Sequence, residues 1–258
     1  MRKKELYNLI LISIFAALTF VGCLIQIPLP SGGMIHLGNF VIIISALLCG
    51  GLIGGLSGAI GAGLYDLLIY SSVDGMIKYF MLKFVMGFIV GYSFRFLLKK
   101  KDVNSSLINI LLGLILMIFT TLALVLSLNN YISLSSKITN VKMYLIVVSV
   151  FGYILSLILL ISGIISVKIK EIYKVSITAI SLSICVNVVL EFIFKIVFSM
   201  IIDSLPFEAA FVKGVSTMPA CILTGTLTLY LGVLIFPLVY KATKNVSMIT
   251  DDIKLLLD

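Results

Sequence analysis

Residues 39–70 form one apolar run whose centre is a lattice of small residues. The run opens at Asn39, continues FVIIISALLCGGLIGGLSGAIGAGLY, and carries Asp66 near its far end. Glycine or alanine recurs every fourth position on two neighbouring stripes. One stripe holds Gly50, Gly54, Gly58 and Ala62; the other holds Gly51, Gly55, Ala59 and Gly63. Residues four apart share a helix face. Inside a bilayer, Leu packed on Leu gains nothing over lipid, so helices associate where small side chains let backbones approach. The run exceeds the roughly 20 residues that one span needs. It reads as two short spans, 39–55 and 57–71, joined by a turn.

The rest of the chain agrees with a bilayer. Of 258 residues, 61% are apolar and 12% charged, a balance that excludes a water-soluble globular domain. Eight apolar segments emerge: roughly 6–27, 39–55, 57–71, 77–97, 106–128, 143–167, 175–202 and 214–240. The net charge of +8 is not a nucleic-acid signature, because the cations sit in short clusters between these segments. Arg2, Lys3 and Lys4 precede the first span. Arg95, Lys99, Lys100 and Lys101 follow the fourth, Lys168, Lys170 and Lys174 the sixth, and Lys241 and Lys244 the eighth. With eight spans all four clusters fall on one side, which the positive-inside rule makes cytoplasmic, together with both termini. The outer loops are then 28–38, 72–76, 129–142 and 203–213, and the basic start with its long apolar stretch is expected to be a retained helix rather than a cleaved signal. Residues 245–258 form a cytoplasmic tail whose sequence fits either a membrane-surface segment or a frayed end.

Four charges interrupt the spans: Asp66, Lys83, Glu191 and Lys195. Each costs about 2.5–3.5 kcal/mol at the bilayer centre, so together they must face the bundle interior or water. Asp66 lies near the outer end of its span, the other three lie in the outer halves of theirs, and Asn39 opens span two at the same face. Span seven repeats Ser183, Asn187, Glu191, Lys195 and Ser199, and helical drift leaves only the central three on one face. Two readings are open. The polar groups line an outward-facing pocket, or Glu191 and Lys195 merely neutralise each other as an i,i+4 pair. His36, the only histidine, sits in an outer loop where a ligand contact and a simple loop hydrogen bond are both consistent with the sequence. The four cysteines, Cys23, Cys49, Cys185 and Cys221, lack metal-ligand spacing, so no metal is expected. No P-loop, no H-E-x-x-H and no assembled nucleophile–histidine pair occurs, so enzyme chemistry lacks its usual parts.

Three segments together resemble the substrate-binding S components of energy-coupling factor (ECF) transporters, which take up vitamins in prokaryotes. The first is Ala16-ALTFVGCLIQIPLPSGGMIHLGN followed by the glycine-rich run to Asp66. The second is Ile77-KYFMLKFVMGFIVGY, where Lys83, Gly87 and Gly91 match a lysine-glycine-glycine pattern on the fourth helix. The third is span seven with Glu191, followed by a last helix containing Pro219. The resemblance implies an all-α bundle of six core helices that binds substrate from outside. It implies association with a transmembrane coupling subunit and two ABC-type ATPases, and no cofactor. Residues 1–104 then carry core helices 1–4, 105–170 an inserted pair of spans, and 171–244 core helices 5–6. Small residues Ser13 and Ala17 are spaced like the family's contact with the coupling subunit; packing within the bundle explains them equally. The chain departs from the pattern in three places, the first being the inserted pair at 105–170. Asn39 stands where the family often has aspartate, and the last helix offers only Cys221 and Thr224 after Pro219. The expected substrate contacts are His36, Asn39, Asp66, Lys83, Asn187, Glu191 and Lys195. Their mixture suits a small zwitterionic or hydrogen-bonding heterocycle, such as pyridoxine, a thiamine precursor, riboflavin or pantothenate. A stand-alone permease, a membrane enzyme and a structural membrane protein are the alternatives.

Overall fold

The computed structural model describes residues 3–29, 34–100, 104–128, 141–164 and 170–243. The described residues form helices α1 (Lys3–Leu24), α2 (Gly38–Cys49), α3 (Gly51–Tyr70), α4 (Val73–Lys99), α5 (Ser105–Leu128), α6 (Val141–Ile164), α7 (Glu171–Ile201) and α8 (Phe207–Thr243). Six of them, α1, α3, α4, α5, α7 and α8, are long and apolar enough to cross a bilayer. The expected tail at 245–258 lies outside the described residues.

Two expectations need correction. The loop after α1 is not plain coil. Gln26–Pro28 (β1) and Met34–His36 (β2) pair antiparallel, with Ile27 opposite Ile35. The glycine-rich run also does not divide into two equal short spans. The break falls at Gly50, so α2 has 12 residues and α3 has 20. At 1.5 Å per residue α2 covers about 18 Å, well short of the roughly 30 Å hydrocarbon core. Gly50 adopts φ 100°, a conformation side chains rarely enter, so the break needs a glycine at that position. The carbonyls freed at the end of α2 are met by Arg95, whose guanidinium donates to Leu47 O at 3.5 Å and Leu48 O at 3.2 Å.

The two glycine stripes serve different neighbours. Gly51 and Gly55 face α4: a Cβ on Gly51 would lie 2.5 Å from Phe88 O, and one on Gly55 2.8 Å from Phe84 O. Gly87 and Gly91 answer from α4. A Cβ at 87 would come within 2.7 Å of the Gly54–Gly55 peptide, and one at 91 would collide with the Gly51 backbone. Gly54 and Gly58 face α2, against Ala46 and Ile42. Gly63 has room, its nearest neighbour being Met76 O at 3.4 Å. A contact outside both stripes holds α1: a side chain at Gly61 would strike Ala16 O and Thr19. Ser13 and Ala17 lie on the other, exposed face of α1.

The main apolar core lies between α2, α4, α7 and α8, where Ile43, Leu47, Val90, Ile180 and Leu229 are fully buried. Phe94 and Phe236 meet edge-to-face at 5.6 Å. The pair α5–α6 docks on this core rather than standing apart. Leu155 and Leu159 of α6 join it, and Thr178 of α7 reaches Ser105 O at the start of α5. Arg95 on α2, Phe94 on α8 and Thr178 beside α5 bring the basic ends of α4, α7 and α8 to one end of the bundle. The hairpin is at the other, where Gln26 donates to the Tyr70 hydroxyl at 3.2 Å.

Helix contacts this close make a direct test. Gly91→Ala is expected to destabilise the fold by about 1–3 kcal/mol through overpacking. Gly63→Ala has room and gains up to about 1 kcal/mol of helix propensity. Thermal unfolding of the purified protein should move down for the first and stay level or rise for the second.

Candidate functional site

All seven polar side chains singled out in the sequence line one cavity of about 100 Å³: His36, Asn39, Asp66, Lys83, Asn187, Glu191 and Lys195. It lies between α2, α3, α4, α7 and α8, with Met34 and His36 of β2 over it. The hairpin is tied down where Thr224 of α8 donates to Met34 O at 3.1 Å. Helical drift sorts the span-seven stripe as its spacing implies. Asn187, Glu191 and Lys195 reach the cavity, whereas Ser183 turns to α4 and donates to Met86 O at 2.9 Å. Ser199 lines a second, outer chamber of about 290 Å³ that shares Asp66, Lys78, Tyr79 and Lys195 with the first.

The i,i+4 pairing of Glu191 with Lys195 is not what forms. Glu191 accepts from Lys78 of α4 at 2.9 Å, and both side chains are about nine-tenths buried, at 11% and 10% exposure. Lys78 has no inward-facing signal in the sequence, because it stands at the start of an apolar span, where a lysine normally reaches out to the interface. Here the close α3–α4 contact and the packing of α4 on α7 turn it inward. Lys83 donates to Asn187 Oδ1 at 3.4 Å. The Tyr79 ring lies under both ammonium groups, 4.6 Å from Lys78 and 5.6 Å from Lys83, a cation–π arrangement. Tyr79 carried no sequence signal beyond sharing a helix face with Lys83.

Asp66 meets the start of α4. Its carboxylate packs so tightly on Gly75 that any side chain there would collide. The helix N-terminus, capped by Ser72 accepting from Gly75 N at 2.9 Å, favours a negative group at that place. Asn39 is buried, and its Oδ1 has no partner among the described residues. Cys23, Tyr65, Cys221 and Thr224 complete the wall. Cys221 and Thr224 thus occupy the place on the last helix where polar residues were expected, and both are short enough to leave room.

His36 lies in β2, ahead of α2. Its Nδ1 accepts from Gly38 N at 3.2 Å, so a neutral ring carries its proton on Nε2. Burial, and then the nearby Lys83 charge, push its pKa down to about 4. The free imidazole titrates near 6.5. Keeping it neutral therefore stabilises the fold fully above about pH 6.5, and this contribution fades as pH falls from there toward 4.

Two measurements check this geometry. Lys78→Met leaves Glu191 buried without its cation, an expected loss of about 3–5 kcal/mol. Adding Glu191→Gln to it should restore part of that stability, whereas additive losses would mean that the pair is not coupled. Nitrogen-15 NMR of the single histidine should show the neutral Nε2–H tautomer at pH 5.5; an imidazolium there would contradict the buried, Gly38-bonded ring.

Comparison with known proteins gives the chain its place. A protein of Pyrococcus woesei described as an uncharacterized protein in gap 3'region is 39% identical over 57 residues, which are 22% of this chain and 38% of that protein. No solved structure matches. The family model of the ECF-type riboflavin transporter S component matches residues 3–160, from α1 into α6 and short of α7. That match covers more than half of the chain and agrees with the resemblance carried by the loop after α1, the glycine-rich run and Lys83 with its two glycines, so this protein belongs to the ECF transporter S-component family.

Proposed function

We propose that this chain captures a vitamin or vitamin precursor from outside the cell, as the membrane-embedded binding subunit of an ATP-driven importer. The observation that carries the reading is convergence. The four charges that interrupt apolar spans, Asp66, Lys83, Glu191 and Lys195, all line a single cavity, at the end of the bundle away from the basic clusters. By the positive-inside rule the cavity end is the outer one. In this reading the chain makes eight crossings, α2 being a short one, with both termini in the cytoplasm. Residues 1–104 and 171–244 form the core, and 105–170 are an inserted pair.

The seven cavity residues hold the substrate. Riboflavin is the compound that the family description names; pyridoxine, a thiamine precursor and pantothenate also fit a cavity rich in hydrogen-bonding groups. The chain contains no P-loop, so the energy comes from two ATPase partners acting through a transmembrane coupling subunit. Ser13 and Ala17 suit that contact because they form a small-residue step on an exposed face of α1, where another helix can approach closely.

The test separates binding from transport. Ser13→Leu with Ala17→Leu should abolish co-purification of the coupling subunit and ATPases, and with it substrate uptake by whole cells, while the purified protein still binds its small molecule. Uptake by vesicles that contain this chain and no ATPase would instead support a stand-alone permease.

A further inference from the structure

We infer that the cavity selects a ligand bearing a single negative charge, a carboxylate held against Lys83. The inference rests on the proposed binding role of this site and narrows the class of compound that fills it. The walls carry three ammonium groups, Lys78, Lys83 and Lys195, against two carboxylates, Asp66 and Glu191. The contact between Lys78 and Glu191 cancels one of each. Asp66 and Lys195, one charge of each sign, also line the outer chamber. Lys83 is different. It lines the inner cavity alone and is 2% exposed. Among the described residues, no carboxylate lies within 4.0 Å of it. The sequence between Leu29 and Met34, Pro-Ser-Gly-Gly, contains no charged residue. Glu191 and Asp66 act on Lys83 only at longer range, and its direct neighbours are an amide oxygen at 3.4 Å and a tyrosine ring at 5.6 Å, weak compensation for a buried cation.

A cation left this way is stabilised by an anion that arrives with the ligand. One surplus charge suits a monoanion. A phosphate dianion would bring a second negative charge toward Glu191 and Asp66 with no further cation to meet it. The second unsatisfied group sharpens the class. Asn39 Oδ1, buried in the same wall, has no donor among the described residues. The ligand therefore carries an N–H or O–H as well as its carboxylate, the chemistry of a hydroxy- or amide-bearing acid. The neutral ring and polyol of a flavin would leave Lys83 uncompensated.

The experiment uses the full chain, purified in mild detergent and reconstituted in nanodiscs. Small molecules released from it are identified by mass spectrometry. Binding is then measured for pantothenate against panthenol, nicotinate against nicotinamide, and riboflavin. The expected result is a released acid, or a panel acid that binds at least about tenfold tighter than its neutral analogue, the effect of one charge-assisted hydrogen bond. Lys83→Gln should remove that preference and Lys83→Arg keep it. A stability readout stands independently of any ligand. The melting midpoint of empty protein should hold or rise in Lys83→Met, in contrast to the fall in Lys78→Met. A neutral compound in the site, riboflavin included, with no acid preferred, overturns this inference and leaves the binding role intact. A site that releases nothing and binds nothing in the panel overturns both. A fall in Lys83→Met as large as that in Lys78→Met shows the cation to be paired within the protein and overturns the inference as well.

Discussion

The backbone contact between α3 and α4 is the constraint on which the site depends. Gly51 and Gly55 meet Gly87 and Gly91 so closely that a methyl group at any of them would press on main chain. Inside a bilayer such an approach gains dispersion energy that bulky side chains deny. It also sets the position of α4, and α4 carries Lys78, Tyr79 and Lys83. Were the two helices separated by larger side chains, these groups would move away from Asp66 and from the α7 face that holds Asn187 and Glu191. Packing thus comes before electrostatics here: glycine spacing fixes the helix, and the helix delivers the charges.

Once delivered, the charges account for the cavity's character. A buried ion pair such as Lys78–Glu191 is a poor source of stability, because desolvation offsets most of the attraction. Hydrophobic residues of similar volume would serve a merely structural bundle as well or better. Retaining five ionisable groups, an unpartnered asparagine oxygen and a neutral histidine around one small space is therefore better explained by a ligand than by folding. The hairpin contributes the roof. Its attachment through Thr224 and Gly38 holds His36 over the polar floor without adding charge.

Much of this was legible in the sequence, for reasons that are local. Small residues four apart mark a helix face, and charges in apolar spans must point inward, so the glycine stripes and the seven cavity residues could be read directly. Clusters of lysine and arginine between spans carried the sidedness. What could not be read depends on which elements become neighbours. Gly61 falls on neither stripe and matters only because α1 crosses there. Lys78 stands at the start of a span, where a lysine normally reaches the interface, and only the approach of α7 with Glu191 gives it an inward partner. The β1–β2 pairing has three residues per strand, and one of them is Pro28, too little for a period-two signal. The break at Gly50 was one choice among several glycines, any of which can take a positive φ; what marks this one is Arg95 of α4, a distant residue that meets the freed carbonyls.

The most direct measurement is an experimental structure of the protein carrying its co-purified small molecule. The account expects density for that molecule between Lys83, Asn187 and Asn39, beneath the hairpin, with the Lys78–Glu191 pair intact beside it. Density elsewhere in the bundle, with this cavity closed or filled by side chains, would contradict the central claim.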